Sequence, residues 1–178
     1  PLKVHRSIPK DQLSLAFIKA GKEAGYKETD DISGYCQEGF GIFDRTVFKG
    51  ERWSTTRAYL DPVRRRKNLT IITKALVCKL ILENNTATGV CFKNNKDKIF
   101  NVKSKKEVIL CAGAVGSPHL LMLSGIGPKD HLKSMGINTK LDLPGVGQNL
   151  QDHPDFMVKY KCLKPVTLWP KTKKLNSI

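Results

Sequence analysis

Ser117 and His119 are the residues whose types and spacing first suggest catalysis by a nucleophile. A serine hydroxyl becomes reactive when a base such as histidine lies within hydrogen-bond reach. Residues two positions apart on a helix point in different directions, so this pair cannot form that bond. The sequence offers Ser117 a simpler role as the N-cap of a helix with Pro118 at its first position. Hydrolase chemistry is therefore not predicted.

A second group of polar residues lies at 145–153, which reads Gly-Val-Gly-Gln-Asn-Leu-Gln-Asp-His. Two glycines beside amide, carboxylate and imidazole groups can cradle a polar ligand. Gln148 and Asn149 have the donors and acceptors to anchor such a loop. Two roles remain open for His153, which either orients a loop beside a cofactor or is an ordinary surface histidine.

The five cysteines do not indicate a metal site. No two of them have the Cys-x-x-Cys spacing, and no histidine is spaced to complete a zinc site. We expect free and buried thiols, and an odd number of cysteines leaves the redox compartment undetermined. They are Cys36, Cys78, Cys91, Cys111 and Cys162.

The chain is strongly basic, with 31 Lys and Arg against 16 Asp and Glu and a net charge of +15. Loose attraction to polyanions follows from this charge, but the basic clusters lack the interleaved aromatic residues of a single-strand nucleic-acid surface. We predict solvated surface and no specific nucleic-acid partner. The clusters are residues 64–67, 103–106 and 171–174.

No apolar run approaches the roughly 18 residues that a membrane-spanning helix needs, so no transmembrane segment is predicted. The chain begins with Pro1 and lacks a secretory leader pattern near it, which is expected of an internal fragment or a processed piece. These residues do not specify the localisation.

The elements that position the polar residues follow from hydrophobic periodicity. Residues 11–24 form an amphipathic helix that Gly25 ends. Residues 30–51 are rich in glycine, aspartate and aromatic residues and are expected to be irregular. A boundary is expected near Pro62, because the residue before proline is pushed out of the helical region.

Beyond this boundary the pattern becomes extended, and Asn-Asn turns separate strands of a β-meander over residues 69–104. Strict alternation predicts two faces for its long strand. One face carries Leu76, Cys78, Leu80 and Leu82, and the other carries Val77, Lys79 and Ile81.

The apolar run at 108–112 predicts a strand buried on both faces of a parallel sheet. A short helix is then expected from Ser117 to Gly125, where glycine can adopt the left-handed conformation. Helix 128–135 and strand 137–143 follow, and another strand is expected to start at Phe156. Helices alternating with strands indicate an α/β fold.

Residues 113–127, Gly-Ala-Val-Gly-Ser-Pro-His-Leu-Leu-Met-Leu-Ser-Gly-Ile-Gly, resemble the second signature of the glucose-methanol-choline (GMC) flavin oxidoreductases. The chain is most similar to the arthropod glucose-dehydrogenase-like branch, over about residues 8 to 160. Further matching motifs are Gly-Glu-Arg-Trp-Ser at 50–54, Ala-Tyr-Leu-Asp-Pro at 58–62, Arg-Lys-Asn-Leu at 66–69, Glu-Val-Ile-Leu at 107–110 and Val-Gly-Gln-Asn-Leu-Gln-Asp-His at 146–153.

This resemblance implies an FAD enzyme that oxidises the CH–OH group of an alcohol or sugar by hydride transfer to the flavin, with oxygen, a quinone or another compound as electron acceptor. It implies a Rossmann-like FAD-binding domain with a β-meander, interleaved with an antiparallel-sheet substrate domain. We expect residues 1–62 on the substrate side, 63–150 in the FAD-binding domain and 151–178 at the start of the substrate-domain sheet. The alternative is a non-catalytic basic binding module that retains the flavoprotein scaffold.

The resemblance also implies which residues contact FAD. Val77 corresponds to a position that meets the adenine through backbone groups, and Ala112 with Gly113 to a strand end beside the adenine and ribose. No residue of this chain corresponds to the family's catalytic histidine or to its dinucleotide fingerprint. The isolated chain is therefore expected to be inactive.

Overall fold

A computed structural model describes residues 1–8 and 11–167. The chain forms two compact units: residues 1–70 together with the described residues from Met157 onward, and residues 71–156. In these ranges no helix is both long and apolar enough to cross a membrane. The basic cluster at 171–174 lies outside the described residues.

Helix α1 (Gln12–Glu23) belongs to the first unit and confirms the predicted amphipathic helix. The Asp11 carboxylate caps it by accepting hydrogen bonds from the backbone N–H groups of Leu13 and Ser14, at 3.0 and 3.2 Å. Gly25 follows the helix with φ of 88°, the left-handed conformation that the sequence predicts for a helix stop.

The rest of the first unit is mostly irregular, as predicted for the glycine-rich stretch. Two short antiparallel strands, β1 (Val47–Phe48) and β2 (Glu51–Arg52), form a hairpin. A single π-helical turn (Thr56–Leu60) then leads directly into a 3-10 turn (Asp61–Val63). Asp61, the residue before Pro62, has helical φ and ψ of −58° and −40°, so the expectation that proline pushes it out of the helical region is wrong. Proline is tolerated in this last turn because the first N–H groups of a helix have no intrahelical partner.

The second unit contains the predicted meander. Strands β3 (Ala75–Glu83), β4 (Thr86–Asn94) and β5 (Ile99–Lys103) pair in antiparallel order β3-β4-β5. Asn84 and Asn85 join β3 to β4 with φ values of 49° and 62°, the positive values that a two-residue hairpin turn of type I′ requires. The predicted first strand, residues 69–73, is not formed.

A bulge at Cys78 overturns the predicted faces of β3. Val77 pairs with Phe92 and Lys79 with Cys91, so Cys78 has no opposing residue. An extra residue reverses the alternation beyond it. As a result Leu76 is 63% exposed and Leu80 only 6%, although the simple period of two placed them on one face.

The predicted buried strand at 108–112 is not a strand in this structure, and Ile109 is 74% exposed. None of the described strands pairs with this run. A strand needs a neighbour to satisfy its backbone groups, and an apolar composition predicts burial without supplying that neighbour.

Helix α2 (Gly113–Leu123) starts earlier than predicted. Ala112 occupies the N-cap position, so Ser117 and Pro118 lie inside the helix. The predicted N-cap role of Ser117 is therefore wrong, because its hydroxyl accepts a bond from the Ala112 N–H instead. The predicted helix stop is confirmed, since Gly125 has φ of 87°.

A parallel pair of two-residue strands, β6 (Ile126–Gly127) and β7 (Leu141–Asp142), encloses helix α3 (Lys129–Ser134) in sequence. Helix α3 confirms the predicted helix at 128–135, whereas the predicted strand 137–143 is reduced to β7. Leu132 of α3 is fully buried, with 0% of its surface exposed. Helices and small open sheets together give the predicted mixed α/β class.

Two other predictions about burial are wrong. Phe156 begins no strand and is 89% exposed. All five cysteines are free as expected, but only Cys91 is buried, and Cys36, Cys111 and Cys162 are exposed. Cysteine type alone does not specify burial, because a thiol is small enough to occupy either environment.

Candidate functional site

The start of helix α2 presents backbone donors that no described side chain satisfies. The N-cap Ala112 offers no hydrogen-bonding side chain, and no cap bond is formed. The first N–H groups of a helix have no intrahelical acceptor and carry partial positive charge. The residues from Cys111 to Val115 are exposed. This helix end can therefore donate hydrogen bonds to an external polar or anionic group.

Gly113 gives this helix end its open space. Its φ is 83°, and, apart from its chain neighbours and the backbone of its own helix, no atom of the described residues lies within 4 Å of the position that a Cβ would take. Glycine is needed here for the left-handed conformation and not to avoid a contact within the chain. The free volume beside the backbone is accessible to a ligand.

Ser117 holds the turn in place. Its Oγ accepts a hydrogen bond of 3.1 Å from the backbone N–H of Ala112. Among the described residues no hydrogen bond joins Ser117 to His119, which is exposed. The hydroxyl thus stabilises the backbone path into α2, and the structure gives the pair no arrangement for nucleophilic catalysis.

Val77 is the third residue of β3 and is 37% exposed. It pairs with Phe92 and directly precedes the bulged Cys78. Bulges recur next to active sites because they redirect a side chain and interrupt pairing. The bulge therefore interrupts the pairing of β3 with β4 directly after Val77.

Ser124 connects β3 to α2 and was missed by the sequence reasoning. Its Oγ accepts a 2.8 Å hydrogen bond from the Leu80 N–H and donates one of 2.6 Å to the Leu120 carbonyl. Ser124 is 5% exposed. The available signal was a hydroxyl within an otherwise apolar run, because buried polar groups are normally hydrogen-bonded.

The predicted polar loop forms one wall of a cavity of about 800 Å³ beside α2. Gly147 has φ of 78°, and a Cβ there would lie 3.4 Å from Met122 Cε, so the loop lies close to the helix. Gln148 and Asn149 line the cavity together with Gln151. Its other lining residues are Ala114, Val115, Pro118, His119, Met122, Gly147 and Leu150.

The remaining polar candidates are not brought into this cavity. His153 is exposed, and its backbone N–H donates a 2.8 Å bond to the Asp152 carboxylate. Within residues 1–8 and 11–167 no three His, Cys, Asp or Glu side chains are grouped as a metal site would require. Val77, Ala112 and Gly113 are not among the residues that line this cavity.

Residues 1–155 match the family described as GMC oxidoreductase. The chain belongs to the GMC oxidoreductase family. This agrees with the resemblance found at residues 113–127, which form α2, its stop and β6.

Curated relatives of this GMC chain include the oxygen-dependent choline dehydrogenase of Staphylococcus xylosus, which is 49% identical over 99% of the chain and 31% of the relative. An FAD-dependent oxidoreductase from Chaetomium thermophilum has a similar structure, with a TM-score of 0.77 and 34% identity over 85% of this chain and 27% of that one. A formate oxidase structure gives a TM-score of 0.76 and 31% identity, covering 86% of this chain and 27% of that one.

These comparisons refine the prediction. The α/β fold matches GMC structures, and the family together with its FAD-dependent neighbour indicates FAD as the cofactor. The curated relative named above and several other curated relatives are choline dehydrogenases, not glucose dehydrogenases. The GMC chain spans less than a third of the length of these relatives.

Proposed function

We propose that the full-length protein is an FAD-dependent oxidoreductase acting on the CH–OH group of an alcohol, and that this chain holds the adenosine end of FAD. Val77, Ala112 and Gly113 are the proposed contacts. The observation that carries the proposal is the uncapped start of α2, where Gly113 leaves open space beside free backbone donors in a chain of the GMC family.

The chemistry of these positions fits a dinucleotide. Ribose and phosphate oxygens accept hydrogen bonds, and a helix N-terminus supplies N–H donors with a favourable dipole. A glycine without neighbours allows the ligand to reach the backbone. The half-exposed Val77 offers apolar surface and backbone groups, which suit the flat adenine ring. Residues 71–156, which contain all three contacts, form one compact unit.

FAD, when bound, supplies the redox chemistry by accepting hydride from the substrate carbon. The role of this chain is to bind and orient the cofactor. We assign none of its residues as the catalytic base, because no described histidine is hydrogen-bonded to a nucleophile or grouped with a second acid-base side chain in the described cavity. The domain assignment with boundaries at residues 62 and 150 is part of the same proposal.

For the substrate, we propose a small alcohol of the choline type in preference to a sugar. The support is the 49% identity to a choline dehydrogenase over nearly the whole chain. The arthropod glucose-dehydrogenase-like assignment predicts a sugar instead, and the two differ in chemistry. A quaternary ammonium alcohol carries a permanent positive charge, whereas glucose offers only hydroxyl groups.

The test is anaerobic reduction of the purified full-length protein. We expect bound FAD, identified by its absorption spectrum and by chromatography after release, and bleaching of this spectrum by choline but not by glucose. Bleaching by glucose alone would reverse the substrate proposal and leave the flavoprotein proposal intact. Full-length protein that takes up no FAD during reconstitution would contradict the function and favour a non-catalytic basic binding module.

Replacing His119 with alanine should change the turnover of the full-length enzyme little. His119 is exposed and lies at a cavity wall without a hydrogen-bonded partner among the described residues. Loss of a general acid or base typically lowers the rate by about 10²–10⁴-fold. Steady-state kinetics of His119→Ala measure this directly, and a loss of that size would refute our exclusion of the residue.

A further inference from the structure

We infer that Ser124 is a positioning residue for the FAD site, which sets the placement of β3 relative to helix α2. The inference rests on the proposed function, since Val77 lies on the strand and Gly113 at the start of the helix. The hydrogen bonds of the Ser124 hydroxyl go to Leu80 and Leu120, not to the proposed cofactor contacts or to the polar loop. It acts through a backbone hydrogen bond on each side.

The single hydroxyl of Ser124 joins the two elements. It accepts from the Leu80 N–H at 2.8 Å and donates to the Leu120 carbonyl at 2.6 Å. Leu80 is three residues from Val77, and Leu120 is seven residues from Gly113. One side chain therefore attaches β3, which carries Val77, to α2, which begins at Gly113.

Helix α2 connects the Ser124 attachment to the proposed cofactor contact at Gly113. An α-helix rises about 1.5 Å per residue, so the eleven residues Gly113–Leu123 form a helix of about 16 Å, and Ser124 caps its C-terminal end. At its other end Ser117 secures the Ala112 N–H. A shift where Ser124 meets β3 would consequently move the backbone at Gly113.

The position of β3 depends on the hydrogen bond between the Leu80 N–H and Ser124 Oγ. Cys78 is unpaired between Val77 and Leu80, so the ladder to β4 is interrupted in this stretch. Ser124 provides a second attachment for β3 just beyond the interruption. Because Ser124 and Leu80 are 5% and 6% exposed, water has little access to replace the bond, and removing the hydroxyl leaves a buried N–H unsatisfied.

Ser134 provides a matched control. Its Oγ donates a 2.8 Å bond to the His131 carbonyl at the end of α3, which resembles the Ser124 bond to Leu120. Ser134 is exposed, and the structure shows no bond from its hydroxyl to a strand among the described residues. A hydroxyl at a helix end is thus common to both sites, and the attachment to β3 is specific to Ser124.

The experiment compares Ser124→Ala, Ser124→Thr and Ser134→Ala in the full-length protein. We expect Ser124→Ala to raise the Kd for FAD, measured by titration of apoprotein well below its melting temperature, by about tenfold, which corresponds to about 1.4 kcal/mol. The rise in melting temperature on adding FAD should shrink accordingly. Ser124→Thr, which keeps the hydroxyl, should restore tight binding, and Ser134→Ala should bind like the unaltered protein.

A purely structural role predicts a different result. Ser124→Ala would then melt at a lower temperature with and without FAD by the same amount, and its Kd for FAD would be unchanged; this outcome overturns the inference. Equal weakening by Ser134→Ala would overturn it too. If the unaltered protein fails to bind FAD, the proposed function fails instead, so the two failures are distinguishable.

Discussion

Replacing Gly113 with leucine in the full-length protein should lower its affinity for FAD by more than about tenfold, a free-energy change above about 1.4 kcal/mol. Gly113 has φ of 83°, and leucine in this conformation costs about 1–2 kcal/mol. The new side chain would also enter the space beside the α2 start that we assign to the adenosine. The measurement is flavin content after purification, followed by FAD titration of the apoprotein.

Gly136→Leu separates the two causes. Gly136 also has a positive φ, 69°, and is exposed, and apart from its chain neighbours no atom of the described residues lies within 4 Å of a Cβ position. Leucine at either position imposes similar backbone strain, so both variants should lose a similar amount of stability. Only Gly113→Leu should lose FAD. Equal flavin content in the Gly113 variant and the unaltered protein would contradict the contact assignment.

Leu132→Ala should produce the largest loss of stability. Leu132 is fully buried in α3, and removing its side chain leaves a cavity that the surrounding residues fill only partly. Such substitutions cost about 2–5 kcal/mol. Urea denaturation of the full-length protein followed by circular dichroism should show a lower midpoint with an unchanged slope, provided that the transition has two states.

Leu123→Ala is the control for this prediction. It removes the same atoms from α2, but Leu123 is 43% exposed, so less apolar surface returns to water and no enclosed cavity forms. We expect a clearly smaller shift of the midpoint. A Leu132 variant as stable as the Leu123 variant would show that α3 contributes little to the core of its unit.

The sequence predicted some residues of the candidate site but not others. Val77, Ala112 and Gly113 could be named because the spacing of glycine, serine and proline at 113–127 resembles a family signature, and each remains a proposed contact. Ser124 is part of the same signature but could not be recognised as an attachment to β3. Its partner, the Leu80 N–H, is 44 residues away in the chain.

Several local features of the structure follow from short stretches of the sequence. The first helix, the Gly25 and Gly125 helix stops and the Asn-Asn hairpin turn were all predicted, because each depends on the conformational preferences of a few consecutive residues. Family membership could also be predicted, since it depends on the spacing of glycine, serine and proline residues along the sequence. These features require no knowledge of what lies across the fold.

Only the tertiary structure revealed the bulge at Cys78, the early start of α2 and the bonds of Ser124. Each of these features depends on which segments of the chain meet. The bulge depends on the register between β3 and β4, and the role of Ser117 depends on the path of the backbone before α2. The hydrogen bonds of Ser124 depend on the approach of β3 to α2. Periodicity specifies an apolar face but not its neighbour. For this reason the run at 108–112 could be read as a buried strand while, among the described residues, it has no strand to pair with.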